Sequence, residues 1–139
     1  MKYKNTGRDI SVRLDDRDEI IDTLQSICKV ERVESALITG IGAARHVEIG
    51  HWDPKEKKYE VKKIDGPLEI ISLNGNVTMM NGEPVIHLHI AVGTSDFSTK
   101  SGHLMRADIC PTCEITLLPI ETKITREKDE AVGLNLQKF

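Results

Sequence analysis

A chain of 139 residues, 39% hydrophobic and 29% charged, has the material for a single core that needs no disulfide staples. It holds no apolar run of about 20 residues, and its start, MKYKNTGRDISVRL, lacks the apolar centre of a secretory signal, so a cytoplasmic protein without a membrane span is expected. A net charge of −3 argues against a dedicated nucleic-acid binder, and three cysteines, an odd number, argue against a secreted disulfide framework.

RDISVRL alternates Ile10, Val12 and Leu14 with polar residues, the period of a half-buried strand. In DDRDEIIDTLQSICKV the rhythm changes, and Ile20, Ile21, Leu24, Ile27 and Cys28 recur at helical spacing. Asp15, Asp16 and Asp18 crowd its start, where carboxylates cap free amides and favour the positive end of the helix dipole, so a helix over about 16–30 is predicted. ESALITGIGAARHVEIGHW reads as a long strand in which Gly40 and Gly42 signal a bulge, a sharp bend or a close backbone approach. DPKEKKYEVKKID sets five lysines against Asp53, Glu56, Glu60 and Asp65, the balance of a solvated hairpin face. KYEVKKI, LEIISLNGNVTMM, VIHLHIAV, HLMRADI and CEITLLPI carry further strand-like runs, with NGNV and NGE supplying turn chemistry between some of them. Six or more strands and one main helix near the N-terminus, with room for a short second one, make an α+β fold with a mixed, largely antiparallel sheet. No repeat or linker divides it, so residues 1–139 are expected to form one domain.

Three of the five histidines fall between residues 84 and 104. With VIHLHIA extended, Val85, His87, His89 and Ala91 share one face, while Ile86, Leu88 and Ile90 make a core stripe on the other. The two imidazoles then stand about 6.5–7 Å apart along the strand, within reach of one ion. His103 opens the next apolar run after a loop, and an adjacent strand would return it to the pair. Three neutral imidazoles plus a water form an open zinc arrangement; two half-buried polar residues on a strand are the plainer alternative. His46 and His51 flank a strand among polar neighbours and are weaker candidates.

CPTC, carrying Cys110 and Cys113, runs into a strand rather than a helix and has no second pair, so ordinary turn and strand residues, or a disulfide, fit it better than a redox or zinc-ribbon motif. TGIGAA lacks the full spacing of a dinucleotide fingerprint, and packing or a subunit contact explains its glycines better.

ALITGIGAARHVEIGHW, GPLEIISLNGNV, GEPVIHLHIAVG, SGHL and EITLLPI, in that order, resemble the plants-and-prokaryotes-conserved (PPC) domain family over about residues 3–125. The resemblance implies an α+β fold assembled as a homotrimer. It also implies that strand histidines hold zinc or another divalent transition metal, here His87, His89 and His103. Plant members carry an AT-hook, a basic Arg-Gly-Arg segment this sequence does not have, and contact partners through Gly-Arg-Phe-Glu-Ile-Leu. The matching GPLEII keeps Gly66, Glu69 and Ile70 as partner-contact candidates but has Pro67 and Leu68 in place of the arginine and phenylalanine.

Three function classes follow. The first is a trimeric metal-binding module, regulatory or open to a small ligand. The second is a DNA-associated or transcription-related protein, its basic surface gathered from residues such as Lys62, Lys63 and Arg45. The third is a zinc-dependent hydrolase-like enzyme with Glu69 or Glu114 as general base. No sequence signal names a reaction, and catalytic residues stay unassigned.

Overall fold

The computed structural model describes residues 1–139. Eight strands and one helix follow in the order β1 (Lys2–Asn5), β2 (Ile10–Leu14), α1 (Ile20–Glu31), β3 (Ala36–Asp53), β4 (Lys58–Met80), β5 (Glu83–Gly93), β6 (Thr99–Pro119), β7 (Thr125–Asp129) and β8 (Leu134–Lys138). The strand pairings are antiparallel throughout, apart from one parallel link in which Met79 of β4 faces Thr125 of β7. β3 runs between β4 and β6, while β5 pairs with both β4 and β6, so four pairings close into a circuit. The second helix that the sequence left room for does not form.

The apolar alternation of β2 buries Ile10, Val12 and Leu14, as its period requires. α1 buries Ile20, Leu24, Ile27 and Cys28 and packs on β5 and β6. It begins four residues later than the aspartates suggest, for a visible reason. Arg17 N–H donates to the Ile109 carbonyl and Ile109 N–H donates to the Asp18 carbonyl, both at 2.9 Å, so this segment bridges to β6 instead of starting a helix. Arg17 is also in the left-handed region at φ 73°. Glu19 is the cap: its carboxylate accepts from Asp22 N–H at 2.7 Å and from Ala107 N–H at 3.0 Å. Arg32, at φ 55°, closes the other end.

The long strands absorb elements that the sequence suggests are separate. β4 unites KYEVKKI with LEIISLNGNVTMM, because NGNV is not a turn: Asn74, Gly75 and Asn76 face His89, Leu88 and His87 on β5. The reversal comes at Asn81-Gly82, both with positive φ, the signature of a two-residue hairpin loop. β6 likewise unites HLMRADI with CEITLLPI. Its register slips against β3 between Ile109 and Cys113, and Pro111 sits in that irregularity, where no ladder donor is missed. Gly42 meets the anticipated close approach: a Cβ there would stand 2.5 Å from Cys113 Cα and 2.6 Å from the Thr112 carbonyl oxygen. One continuous core of 26 buried residues joins the helix to the sheet. No helix is long and apolar enough to cross a membrane.

Candidate metal centre

β5 carries His87 and His89 on one face, with Leu88 and Ile90 buried on the other. β6 returns antiparallel to β5 after a tight loop over 94–98, and the register sets His103 directly opposite His89. In that loop the Asp96 carboxylate accepts from Ser98 N–H at 3.0 Å and from the Thr94 hydroxyl, which holds its pKa down at about 2. The three imidazole centroids are 5.1–5.5 Å apart. Their ligand nitrogens all lie within 4.8 Å of one another. Nitrogens sharing one tetrahedral zinc stand about 3.4 Å apart, a separation that small ring rotations would reach.

Two features suit a metal's chemistry. His103 Nδ1 is buried with no hydrogen-bond partner, an orphaned acceptor or donor of a kind that folded proteins rarely keep. His87 is held neutral, its pKa pulled down to about 4 first by burial and then by Arg126, His103 and His89. His103 is lowered by the same kinds of cause, burial first. Neutral rings offer lone pairs without losing a proton, the state a ligand needs. The residues present therefore fit a divalent transition metal, with His89 exposed on the open side.

The walls are aromatic and cationic. Tyr59 stacks on His103 with centroids 4.8 Å apart, and Trp52, its partner across the β3–β4 ladder, meets Tyr59 edge-on at 5.1 Å. Gly50 faces His103 on β3 and makes room for this stack, since a Cβ there would lie 2.8 Å from the Tyr59 ring. On the other side Arg126 of β7 donates to His87 Nδ1 at 3.1 Å. Sequence reasoning missed Arg126 altogether. Alternation in LNLQK was the one signal of the hairpin that delivers it.

The other sequence candidates lie elsewhere. His46 is engaged by Asp65 at 2.6 Å and Glu48 at 3.3 Å, and His51 is an exposed strand residue. No carboxylate joins the histidine cluster. Glu69 faces Gly93, four residues beyond His89 on β5, and Glu114 faces Ile41, eleven residues from His103 on β6. That spacing leaves each more than about 10 Å away. Gly66 and Glu69 are exposed, whereas Ile70 belongs to the core. Cys110 and Cys113 are both free, and burial pushes the Cys113 thiol up to about 12. Lys63 is paired with Glu48 at 3.0 Å and Arg45 with Asp16, so two of the three cations named for a basic patch are neutralised locally.

Solved structures share this fold along nearly the whole chain. A candidate DNA-binding protein from Bacteroides thetaiotaomicron is 34% identical over 99% of this chain and 96% of its own, with a TM-score of 0.95. A metal-containing protein from Archaeoglobus fulgidus is 32% identical over 100% of both chains, with a TM-score of 0.89. A plant- and prokaryote-conserved protein from Pyrococcus horikoshii is 31% identical over 99% of this chain and 95% of its own, with a TM-score of 0.89. Comparison with curated protein sequences gave no match. The family model of the Plants and Prokaryotes Conserved domain, abbreviated PCC or PPC, matches residues 1–121, and the chain belongs to that family.

Proposed function

We propose that the protein is a trimeric metal-binding module in which His87, His89 and His103 hold zinc or another divalent transition metal, with one position left open to a small ligand. The observation that carries this reading is the convergence of three imidazoles around the orphaned His103 Nδ1. The metal-containing relative from Archaeoglobus fulgidus supports it. A bound divalent ion would supply Lewis acidity and a water of lowered pKa. The chain's own part is to fix the ligand rings between two strands and to wall the site with Tyr59 and Arg126. No carboxylate joins the histidines, so the reading offered is a binding site with no reaction assigned to it. We read residues 1–139 as one domain, and Gly66 and Glu69, exposed on β4, as the accessible part of a partner contact to which Ile70 gives buried support.

Elemental analysis of the untagged protein, purified without added metal and with its solution mass taken on the same sample, is the test. About one ion per chain is expected, and His89→Ala and His103→Ala should each lose it while staying folded. Protein that is metal-free and takes up none on titration would overturn the assignment.

A DNA-associated role is the second reading, favoured by the name of the Bacteroides relative. Binding through phosphates would weaken steeply as salt rises, and no duplex binding at about 50 mM salt would remove it.

A further inference from the structure

Arg126 lies beyond the 1–121 stretch that the family model matches, on the C-terminal hairpin that packs against β4. Its guanidinium is fixed on several sides by neutral acceptors. Nε–H donates to Thr78 Oγ1 at 2.7 Å, one terminal nitrogen to the Asn135 carbonyl at 2.9 Å, and the other to Asn76 Oδ1 at 3.0 Å and His87 Nδ1 at 3.1 Å. No carboxylate pairs with it. A half-buried guanidinium ordinarily finds an anion.

The bond to His87 has a chemical consequence. An arginine only donates, so Nδ1 must accept, and the neutral ring then carries its proton on Nε2. A metal takes only an unprotonated nitrogen. Ligation through Nδ1 would consume the lone pair that Arg126 uses. Ligation through Nε2 would move the proton to Nδ1 and set donor against donor. His87 therefore cannot bind a metal and keep the Arg126 hydrogen bond, and loading the site frees one guanidinium N–H beside the ion.

The loaded pocket would then hold a divalent ion and a guanidinium with no acidic side chain among them. Arg126 is the cation in hydrogen-bond contact with the cluster, through His87. We propose that Arg126 and the open metal position together form a subsite for a small carboxylate, one oxygen directed to the ion and the other accepting from Arg126. One open position and one freed N–H make two contacts, the number that a two-oxygen monoanion offers. This subsite rests on the metal-binding reading above and names the class of ligand that reading leaves open.

The experiment uses Co²⁺ as the metal and acetate as the ligand, because Co²⁺ in a histidine site has visible absorption that responds to its fourth ligand. Wild-type protein, Arg126→Gln and Arg126→Lys are loaded with Co²⁺ and titrated with acetate at constant ionic strength. Acetate should shift the wild-type bands, and its dissociation constant should rise about tenfold or more in Arg126→Gln, the size of a lost charge-assisted hydrogen bond. Co²⁺ itself should bind Arg126→Gln at least as tightly as wild type, because a competing donor and a repelling charge are gone. Lysine keeps the charge without the fork and should fall between. Equal acetate affinity in all three proteins, or wild-type bands that ignore acetate, would overturn the subsite and leave the metal reading standing. Failure of wild type to take up Co²⁺ would overturn both. Should Arg126→Gln fail to fold, unchanged acetate affinity in Arg126→Lys is itself decisive against the subsite.

Discussion

Gly75 lies on β4 directly behind the two β5 histidines, facing Leu88 while its neighbours Asn74 and Asn76 face His89 and His87. A Cβ at Gly75 would run into the His87 carbonyl oxygen and stand 2.9 Å from Leu88 Cα. Both are backbone atoms and cannot swing aside. Gly75→Ala should therefore cost about 1–3 kcal/mol, the usual penalty of overpacking, and displace β5 where it presents its rings. Urea unfolding would read the first effect and metal content the second. An alanine variant with wild-type stability and full metal would show that β5 yields freely at this point. His46 offers a different kind of residue-scale test. Its pKa is raised, first by the hydrogen bond to Asp65, against an opposing effect of burial. A raised folded pKa means that the pair's contribution is fully present below the unfolded value near 6.5 and is lost as pH climbs through the folded one. Wild-type Tm should fall relative to Asp65→Asn as pH climbs above the unfolded value near 6.5. The difference should be small and should shrink with salt, because Asp65 is 83% exposed. A gap that widens with added salt would contradict the ion-pair origin.

At the scale of elements, Glu19 joins α1 to the sheet. One carboxylate oxygen caps the helix at Asp22 N–H and the other accepts from Ala107 N–H on β6, so a single side chain satisfies two otherwise free donors. Glu19→Ala should lower stability by about 1–3 kcal/mol, a lost cap plus a stranded strand amide, and Glu19→Gln by less because one acceptor survives. Equal unfolding midpoints for the three proteins would refute the double role. The same element shows what a sequence can and cannot convey. The 3.6-residue rhythm of Ile20, Leu24 and Ile27 marks the helix body, but its start depends on Arg17 and Asp18 pairing with Ile109, a partner about 90 residues away that no local pattern announces. Period-two alternation likewise places His87 and His89 on one face and Leu88 and Ile90 in the core. It was silent on Asn74-Gly75-Asn76, which has the composition of a turn and the role of a strand, because the reason for the glycine is the β5 backbone lying against it. Arg126 was hidden for a similar reason: its importance comes from Thr78, Asn76 and His87, all on other strands.

For the molecule as a whole, the face opposite the core has an apolar character that a lone protomer does not explain. Leu37 and Ile41 on β3 are 55% and 59% exposed, and Leu118, the register partner of Leu37 on β6, is 44% exposed. Thr39 and Thr116 pair between them, and the exposed Glu114 stands opposite Ile41 at the end of this stripe. Exposed large apolar side chains clustered this closely suit an interface, and for the proposed homotrimer a second copy of the chain is the occupant to test. Introducing a glutamate at each of two central positions, Leu37→Glu with Ile41→Glu, would place unpaired carboxylates in that interface at a cost of several kcal/mol. Sedimentation equilibrium should then report a monomer, against a wild-type mass three times the 15.6 kDa of one chain. Wild-type protein that is already monomeric would sink the trimer; a double variant that remains trimeric would move the interface to another face. Metal content of the dissociated variant adds a second discrimination. His87, His89 and His103 converge within one chain, so the ion should stay bound when the copies separate. If metal were lost in step with dissociation, a neighbouring copy would have to complete or brace the site, and the open coordination position would face a subunit interface instead of solvent.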